Sequence, residues 1–495
     1  MSWIDANSSV DRQKNFFSKG ERYIYSAVGE LNLYPLFVEN NTHLNNKDGR
    51  SGLIIKSGML QSPTWAGFTQ YLLENHKIVS AFDYRNWNGW FPAIGYHERF
   101  TLITLAAFSE KMRFGFYLDT PEETIGSDKV FDMSVAECLK MNPITKNIAT
   151  FSNKIDKEIL SDIYSKHNIL GFSKHWNYRY STGLHMSLEA NALRTFEELN
   201  GNGLDLINNF FYEHDSITNY PLLEGKLIHQ YDHRFATFAG IPKEKRFGIK
   251  AATINPGDED KRDVDFEIIP RYWVSEEYHH NDKEKRRIPD NWVLTFRDTT
   301  NVISNFRTFV ACIAGETAFN YKAPNLIIEE KDSKTRAEKA ALLLAIINSF
   351  PFDFITRMKF YGANLIKSII DQLPIVDYEL VYRFKDELIP RVLKLSYTSN
   401  SVKSFAEALD YSNGPFKWDS NERFVLKCEL DVIVAYLFQI DKKTLEYMLE
   451  YFPIVKQRDL DKYGTYRTKE TILKLFDEMD WVKEEMEKTK TEKFS

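Results

Sequence analysis

The chain has 495 residues, of which 43% are hydrophobic and 14% aromatic, and this length allows two to four domains. A composition so rich in apolar residues and rings excludes a disordered chain. Lysine and arginine total 64 against 70 aspartate and glutamate residues, which gives a net charge of −6. This acidic balance excludes a global field that attracts nucleic acid, so any such contact requires local basic patches.

The three cysteines, Cys138, Cys312 and Cys428, lie far apart and lack a Cys-x-x-Cys spacing. They favour neither a disulfide framework nor a zinc knuckle, and they suit a reducing compartment, so we expect a cytoplasmic protein. The polar N-terminal residues contain no signal-peptide core. The most apolar run, residues 340–349, is too short to span a bilayer, so we expect no membrane partner.

The first 118 residues carry an α/β pattern. Residues 1–20 are polar without a clear period, and apolar residues at helical spacing then predict a helix over residues 64–75. Short apolar runs predict four strands, over residues 51–56, 78–82, 100–108 and 114–117. Strand, helix, strand and then paired strands is typical of an α/β sheet with an antiparallel end.

The character of the chain changes after residue 118. Residues 119–160 are polar and predict a connector, and alternating rings and polar residues over 175–186 predict a strand. Two basic runs and one acidic run are interpreted as solvated loops, although the basic ones are candidates for nucleic-acid contact: residues 243–246, 283–287 and 258–263. Helices are predicted over residues 336–348 and 352–359, and the tail from residue 377 is mostly helical.

Residues 221–238 are the most informative stretch, because six acidic, basic or imidazole side chains lie there among apolar residues and rings. Three interpretations are open. Rings beside His and Arg suit a face that stacks on a planar polar partner such as nucleic acid. Alternatively, His229, Asp232 and His233 are close enough for a metal site, although no cysteine or further acid has a matching spacing. The third interpretation is a buried structural network.

The stretch LLEGKLIHQYDHR within these residues resembles the LYEGKMIHQFDHR element of the large adenine-N6 DNA methyltransferases of restriction–modification systems. These are the type IIG-like, gamma-class enzymes, in which cleavage, methylation and target recognition share one chain. PRYWV at Pro270–Val274, WVLTFRD at Trp292–Asp298 and NFRT at Asn305–Thr308 resemble further elements of that family in the same order. Altogether the resemblance covers roughly residues 17–480.

Two motifs near the start resemble parts of the family's methyltransferase domain. NLYPLF at Asn32–Phe37 resembles its NLYxxF motif, which implies that Phe37, with Asn32, contacts the adenine ring of S-adenosyl-L-methionine. WNGWFP at Trp87–Pro92 resembles its xxFP turn, which implies that Phe91 stacks on the displaced target adenine. The alternatives are that Phe37 is an ordinary helix-face residue and that Phe91 anchors a turn against the sheet.

The family's catalytic loop, Asn/Asp-Pro-Pro-Tyr/Phe, has no counterpart, because no Pro-Pro pair occurs in the 495 residues. No Gly-rich cofactor turn precedes Asn32 either. The resemblance therefore implies the C-terminal portion of such an enzyme, inactive alone, with S-adenosyl-L-methionine bound mostly by a missing N-terminal half. An upstream-encoded methyltransferase half or a restriction subunit is the expected partner.

The resemblance implies four regions: the C-terminal half of a class I methyltransferase-like α/β domain (1–118), a connector (119–160), an α+β DNA target-recognition domain (161–376) and a helical C-terminal region (377–495). The expected partner is double-stranded DNA. The candidate DNA-binding residues are Lys226, His229, His233, Arg234, Arg271, Arg297, Arg307, Arg357 and Lys359. Two alternatives stay open: an internal pair between Arg297 and Asp298, and a stand-alone DNA-binding or interaction module without enzyme activity.

Overall fold

The computed structural model describes residues 3–95, 98–248, 251–300, 305–360 and 363–492. The chain divides into two compact units. The first comprises Met1–Gly171 with Asp371–Pro374, and the second comprises Phe172–Ile370 with Ile375–Ser495. The organisation into four regions stays a prediction.

The first unit is built on one mixed five-stranded sheet. Its elements are α1 (Trp3–Lys19), α2 (Leu33–Leu44), β1 (Arg50–Lys56), α3 (Ala66–Glu74), β2 (Ile78–Arg85), β3 (Arg99–Ala106), β4 (Met112–Leu118), β5 (Val130–Met133), α4 (Val135–Met141), α5 (Lys154–Lys166) and β6 (Asn168–Ile169). The strand order is β1-β3-β2-β4-β5. The strand β3 runs antiparallel to both of its neighbours, and β2 runs parallel to β4. The four predicted strands and the predicted helix are therefore found, and the sheet is mixed α/β as expected.

Helix α3 and strand β1 differ in burial. Helix α3 packs its apolar face inward, and Phe68 and Leu72 are fully buried. In contrast, β1 pairs only with β3 among the described residues, and alternate positions along it are exposed. Ile54 on this strand is 60% exposed. An edge strand of this kind presents unpaired backbone N–H and C=O groups together with an apolar side chain.

The second unit combines two sheets with a large helical part. Its elements are β7 (Tyr178–Ser181), α6 (Phe196–Gly201), β8 (Asp205–Ile207), β9 (Phe210–Glu213), β10 (Ser216–Leu223), α7 (Lys243–Arg246), α8 (Asp258–Arg262), β11 (Trp273–Ser275), α9 (Glu276–Lys285), β12 (Trp292–Phe296), β13 (Ala311–Gly315), β14 (Ala318–Phe319), β15 (Asn325–Ile328), α10 (Ser333–Ile347), α11 (Phe350–Lys359) and α12 (Lys367–Ile370). The strand β16 (Pro374–Ile375) spans the last residue of the first unit and the next residue of the second. One sheet has the order β11-β10-β9-β8 with β14 added parallel to β10, and the other has the order β13-β12-β15-β7.

The remaining described elements of the second unit are helical, as the sequence predicted for the tail. They are α13 (Tyr378–Arg383), α14 (Lys385–Ser396), α15 (Lys403–Ala408), α16 (Ser420–Leu437), α17 (Lys442–Leu449), α18 (Pro453–Tyr463), α19 (Arg467–Glu478) and α20 (Trp481–Glu492). Helix α10 is buried on all sides over its last two turns, from Ala340 to Ile347, which is typical of a helix at the centre of a core. Pro351, expected to end α10, lies instead in the first turn of α11, where a missing N–H costs nothing.

Several local predictions were wrong. Residues 1–20 contain the helix α1, and each of the charge runs expected as a loop contains or ends a helix. The acidic run shows the reason. Asp258, Glu259 and Asp260 occupy the first turn of α8, and Lys261 and Arg262 occupy its end, so the charges complement the helix dipole. The strand expected over 175–186 is confined to the four residues of β7.

No single helix among the described residues is long and apolar enough to cross a membrane, although the bent pair of α10 and α11 meets that criterion when both are counted together.

Candidate nucleic-acid interface

An aromatic loop follows β2 in the first unit and is held by one buried amide. The side chain of Asn86 is 3% exposed, and its Nδ2 donates hydrogen bonds to the carbonyls of Phe91 at 3.0 Å and Ile94 at 3.1 Å. Its Oδ1 accepts the backbone N–H of Phe91 at 2.9 Å. Gly89 turns the chain with φ near +68°, a conformation that favours glycine. The loop from residue 86 to 94 is therefore fixed from inside.

The rings of this loop differ in what they contact. Phe91 packs edge-to-face on Phe100 of β3 with ring centroids 4.9 Å apart, and it is half-buried. Trp87 and Trp90 are 50% and 45% exposed. The guanidinium of Arg85 lies 3.9 Å from the ring of Trp87. The contact with Phe100 favours an anchoring role for Phe91, and the two tryptophans leave open aromatic faces beside it.

Arg85 also connects the loop to the end of β4, through Asp119. Its Nε donates to Oδ1 of Asp119 at 2.7 Å. Asn88 in the loop donates to the backbone carbonyl of the same Asp119 at 2.8 Å. The loop is thus attached to two strands, β2 and β4, and its aromatic faces have a defined position. Neither Trp87 nor Trp90 was named as a site residue from the sequence, although two tryptophans within four residues were a visible signal.

The cofactor candidates lie at the start of α2. Asn32 precedes the helix, and its Nδ2 donates to the carbonyl of Glu30 at 3.1 Å. Phe37 is 59% exposed on α2 and contacts no other ring among the described residues, so it is not a core residue. An exposed ring can cover a flat ligand or a partner surface. No ring contact or hydrogen bond joins Phe37 to Phe91 in the described part of the chain.

The stretch of residues 221–238 in the second unit is a buried polar network. The carboxylate of Asp232 pairs with Nζ of Lys261 at 2.6 Å, and both are less than 10% exposed. Arg234 is fully buried and donates to four backbone carbonyls, those of residues 261, 263, 266 and 398, at 2.8–3.1 Å. Every one of these partners belongs to the protein, so the guanidinium of Arg234 cannot reach a phosphate without unfolding its site.

Two further candidates, Lys226 of this stretch and Arg271 farther along the chain, are bound internally. Nε and Nη2 of Arg271 donate to the two carboxylate oxygens of Glu224, each at 2.7 Å, and this two-point contact fixes the orientation of the guanidinium. Nζ of Lys226 donates to the carbonyl of Ala251 at 2.9 Å and lies 5.0 Å from the ring of Phe238. Burial lowers the pKa of Lys226. These side chains are half-buried, and the structural-network alternative explains their contacts.

The predicted internal pair between Arg297 and Asp298 does not form. Arg297 donates to the carbonyls of Gly225 at 2.9 Å and Ile228 at 2.5 Å, so it closes the loop before His229. Asp298 pairs instead with Nζ of Lys322 at 3.0 Å. Consecutive residues of an extended segment point to opposite sides, which explains why the two neighbours meet different partners.

The candidates in NFRT and α11 form one buried ion cluster. Nε of Arg307 donates to Oδ2 of Asp353 at 2.6 Å, and these side chains are 4% and 0% exposed. Arg357 donates to the carbonyl of Tyr451 at 3.2 Å, and Lys359 is 8% exposed. Arg307 and Arg357 share the carboxylate of Asp353 inside the unit, and Lys359 is buried as well. As DNA contacts, they require a rearrangement that the geometry does not favour.

The two histidines have different surroundings. Nε2 of His233 lies 3.1 Å from the hydroxyl of Ser399 and 3.0 Å from that of Ser401, so it belongs to the network. His229 lies between the rings of Phe235 and Phe306, with centroids 4.5 Å and 6.1 Å away. Burial, and then the nearby Arg297, lowers its pKa well below the usual value, so the imidazole is neutral.

A metal site at residues 229–233 does not fit this geometry. The carboxylate of Asp232 is taken by Lys261, and His233 faces two hydroxyls. Among the described residues, no group of three or more His, Cys, Asp or Glu side chains has an arrangement that could hold a metal ion.

Comparison with known proteins gives one family match and weak structural ones. No curated protein sequence matches the chain. A type IIL restriction–modification enzyme, MmeI, solved in complex with DNA, matches 93% of the chain at 13% identity with a TM-score of 0.46. BpuSI, a type IIG restriction endonuclease, matches 90% at 13% identity with a TM-score of 0.28. The matches cover 55% and 52% of those chains, so this chain spans about half of their length.

The family match falls on the first unit. Residues 5–91 match the model of the Eco57I restriction-modification methylase family. This range contains Asn32–Phe37 and all of the second motif except Pro92, and so includes Asn32, Phe37 and Phe91. The predicted resemblance to restriction–modification methylases is thereby confirmed for residues 5–91, which are similar to that family.

Proposed function

We propose that the chain is the DNA-binding, target-recognition part of a site-specific DNA adenine-N6 methyltransferase of a restriction–modification or phage-defence system. The observation that carries the proposal is the aromatic loop at residues 86–94, whose residues 86–91 lie within the range that matches a methylase family. Its exposed rings provide a stacking surface for a base displaced from a duplex, since every base has a π face.

The open edge of β1 supports the need for a partner segment. In the described part of the chain β1 pairs with β3 alone, so one edge of this strand is open, and Ile54 on it is exposed. Leu33 and Leu44 of the neighbouring α2 are each 66% exposed. Proteins usually cover or blunt such an edge. We propose that the segment carrying the Gly-rich turn and the Asn-Pro-Pro-Tyr-type loop, neither of which occurs in these residues, covers it.

S-adenosyl-L-methionine is the methyl donor that such an enzyme uses. The exposed ring of Phe37 fits one flat face of its adenine, and Asn32 is a polar side chain at the start of the same motif. The remaining contacts belong to the partner segment in this proposal. The role of Phe37 is to exclude water from one side of the cofactor, which needs no charged group.

The first experiment measures methyl transfer. The chain is mixed with a methyltransferase segment that carries the two missing motifs, and transfer from labelled S-adenosyl-L-methionine to duplex DNA is followed. Stacking of a base on a ring is worth about 1–3 kcal/mol, so loss of the stacking ring lowers transfer by about 5- to 150-fold. Phe91→Ala and Trp90→Ala are compared, with Leu188→Ser, an exposed apolar residue of the second unit, as the control.

The outcome assigns the ring that stacks on the base. Transfer that falls for Phe91→Ala without a change in the unfolding midpoint supports base stacking by Phe91. Transfer that falls only for Trp90→Ala moves this role to Trp90. Unchanged transfer in both variants removes the loop from the site, and DNA binding without any methylation favours the stand-alone DNA-binding module.

The second experiment measures association with the partner segment. Ile54→Lys places a charge on the open edge of β1, and we expect it to weaken association because an edge lysine disfavours strand pairing. Leu188→Lys is the matched control, since Leu188 is 80% exposed and lies in the second unit. Equal association of both variants would show that the partner segment binds elsewhere.

A further inference from the structure

Four basic side chains on the C-terminal helices lack a carboxylate partner. They are Lys427 on α16, Arg458 and Lys462 on α18, and Arg467 on α19. The sequence assigned no function to any of them. Within the described ranges, no Asp or Glu oxygen lies at ion-pair distance from these four. Arg467 contacts the amide oxygen of Asn421 at 3.5 Å, and both Arg467 and Lys462 contact the hydroxyl of Tyr463.

The carboxylates on the same helices are occupied by other groups. Glu422 pairs with Lys394 and Glu429 with Arg391. Asp459 accepts the backbone N–H of Thr468, and Asp461 accepts the amide of Gln457. Glu450, at the end of α17, pairs with Lys456 and Lys469. None of the four basic groups is therefore in direct contact with a carboxylate among the described residues, although Asp459 and Asp461 keep their negative charge because their hydrogen-bond partners are neutral. A chain with a net charge of −6 does not gather unpaired cations by composition alone.

Aromatic rings support both arginines. The guanidinium of Arg458 lies 4.8 Å from the ring of Phe306. That of Arg467 lies 4.1 Å from Phe424 and 4.6 Å from Tyr463. A ring beneath a guanidinium holds it in place and leaves its N–H edge free to bind both oxygens of one phosphate. A lysine ammonium is a point charge on a flexible side chain and does not bind two phosphate oxygens in this fixed geometry.

The surface continues to His229, in the segment that follows β10. Phe306, whose ring contacts the guanidinium of Arg458, also faces His229. Lys427 is close enough to lower the pKa of the His229 imidazole. His229 is neutral, forms no side-chain hydrogen bond among the described residues and lies between two rings. A neutral polar ring flanked by cations suits a sugar or base edge beside a phosphate chain. An acidic protein partner would leave these rings unused.

We infer that α16, α18 and α19, with His229 and Phe306, form a binding surface for the sugar–phosphate backbone of nucleic acid. The inference rests on the proposed DNA-binding function and assigns it to residues of the helical region. We call these residues, Lys427, Arg458, Lys462, Arg467, His229 and Phe306, the helical basic surface.

The test is the salt dependence of affinity for a fluorescent 30-base-pair duplex, measured by anisotropy on the whole chain. Each phosphate contact contributes about 0.9 to the slope of log K against log salt. The double variant Arg458→Gln/Arg467→Gln is expected to reduce the slope by about 1.8, which is about 30-fold in affinity near 0.15 M salt. The control is Lys334→Gln/Lys403→Gln, which removes two exposed lysines that already pair with Asp410 and Glu407.

The outcomes separate this inference from the proposed function. A reduced slope with an unchanged control and an unchanged urea midpoint supports the helical basic surface, even where no methylation is found. Methyl transfer by the reconstituted pair with an unchanged slope overturns the surface but not the proposed function. Absence of salt-sensitive DNA binding by the unmodified chain also overturns the helical basic surface. Binding of poly-glutamate in place of DNA overturns it as well and points to an acidic protein partner. Arg458→Gln alone, at an exposed position, retains the test if the double variant unfolds.

Discussion

The buried pair of Arg307 and Asp353 decides whether a predicted DNA contact is structural. Asp353 is fully buried, and its carboxylate accepts Nε of Arg307 at 2.6 Å and the backbone N–H groups of Thr308 at 3.0 Å and Phe309 at 3.2 Å. Asp353→Ala leaves a buried guanidinium without its counter-charge and two N–H groups without an acceptor. Breaking one side of a buried ion pair costs about 3–5 kcal/mol.

The assay is urea unfolding followed by tryptophan fluorescence. A loss of about 4 kcal/mol, with an m-value of about 3 kcal/mol per molar urea, lowers the midpoint by about 1.3 M. Asp353→Asn retains one oxygen acceptor and should fall between the wild type and Asp353→Ala. Lys334→Ala removes an exposed partner of Asp410 and should leave the midpoint unchanged.

The complementary variant is Arg307→Met, which removes the charge and keeps an apolar stem. If Arg307 is structural, this variant shifts the midpoint and leaves the salt slope of DNA binding as it was. A midpoint within about 0.2 M of the wild type, together with a slope reduced by about 0.9, would refute the reasoning and return Arg307 to the DNA interface.

Two further predictions concern the second unit. Burial raises the pKa of Asp431 to about 7. The protonated form therefore stabilises the fold, and this stabilisation is complete below about pH 4 and is lost as the pH rises toward 7. The free energy of unfolding falls in this window by no more than about 1.4 kcal/mol per pH unit. Asp431→Asn should remove this fall from urea midpoints at pH 4.5, 6.0 and 7.5; parallel profiles would contradict it. A Cβ at Gly225 would lie 2.1 Å from the carbonyl oxygen of Lys322, so Gly225→Ala should lower the unfolding midpoint. Gly414→Ala is the control and should not lower it, because a Cβ there meets no atom within 4 Å; equal midpoints would show that the loop at Gly225 moves to make room.

The strands and helices of the first unit followed from local pattern. The predicted strands at 51–56 and 78–82 lie within β1 and β2, because apolar runs bounded by turn residues are short-range signals. The helices at the charge runs were missed, since the helix dipole effect of α8 depends on which charges lie at each end, not on the density of charge.

The family resemblance was also available from sequence, because motifs such as Asn32–Phe37 retain their order, and residues 5–91 confirm it. The burial and the hydrogen-bond partners of each basic residue could not be predicted from the sequence. Arg234 and Arg458 are the same residue type, yet one is fully buried and the other exposed. The partners of Arg234 include the carbonyl of Thr398, 164 positions away along the chain. Whether a guanidinium binds carbonyls or faces solvent is decided by such distant segments, so only the tertiary structure separates a structural arginine from one available to phosphate.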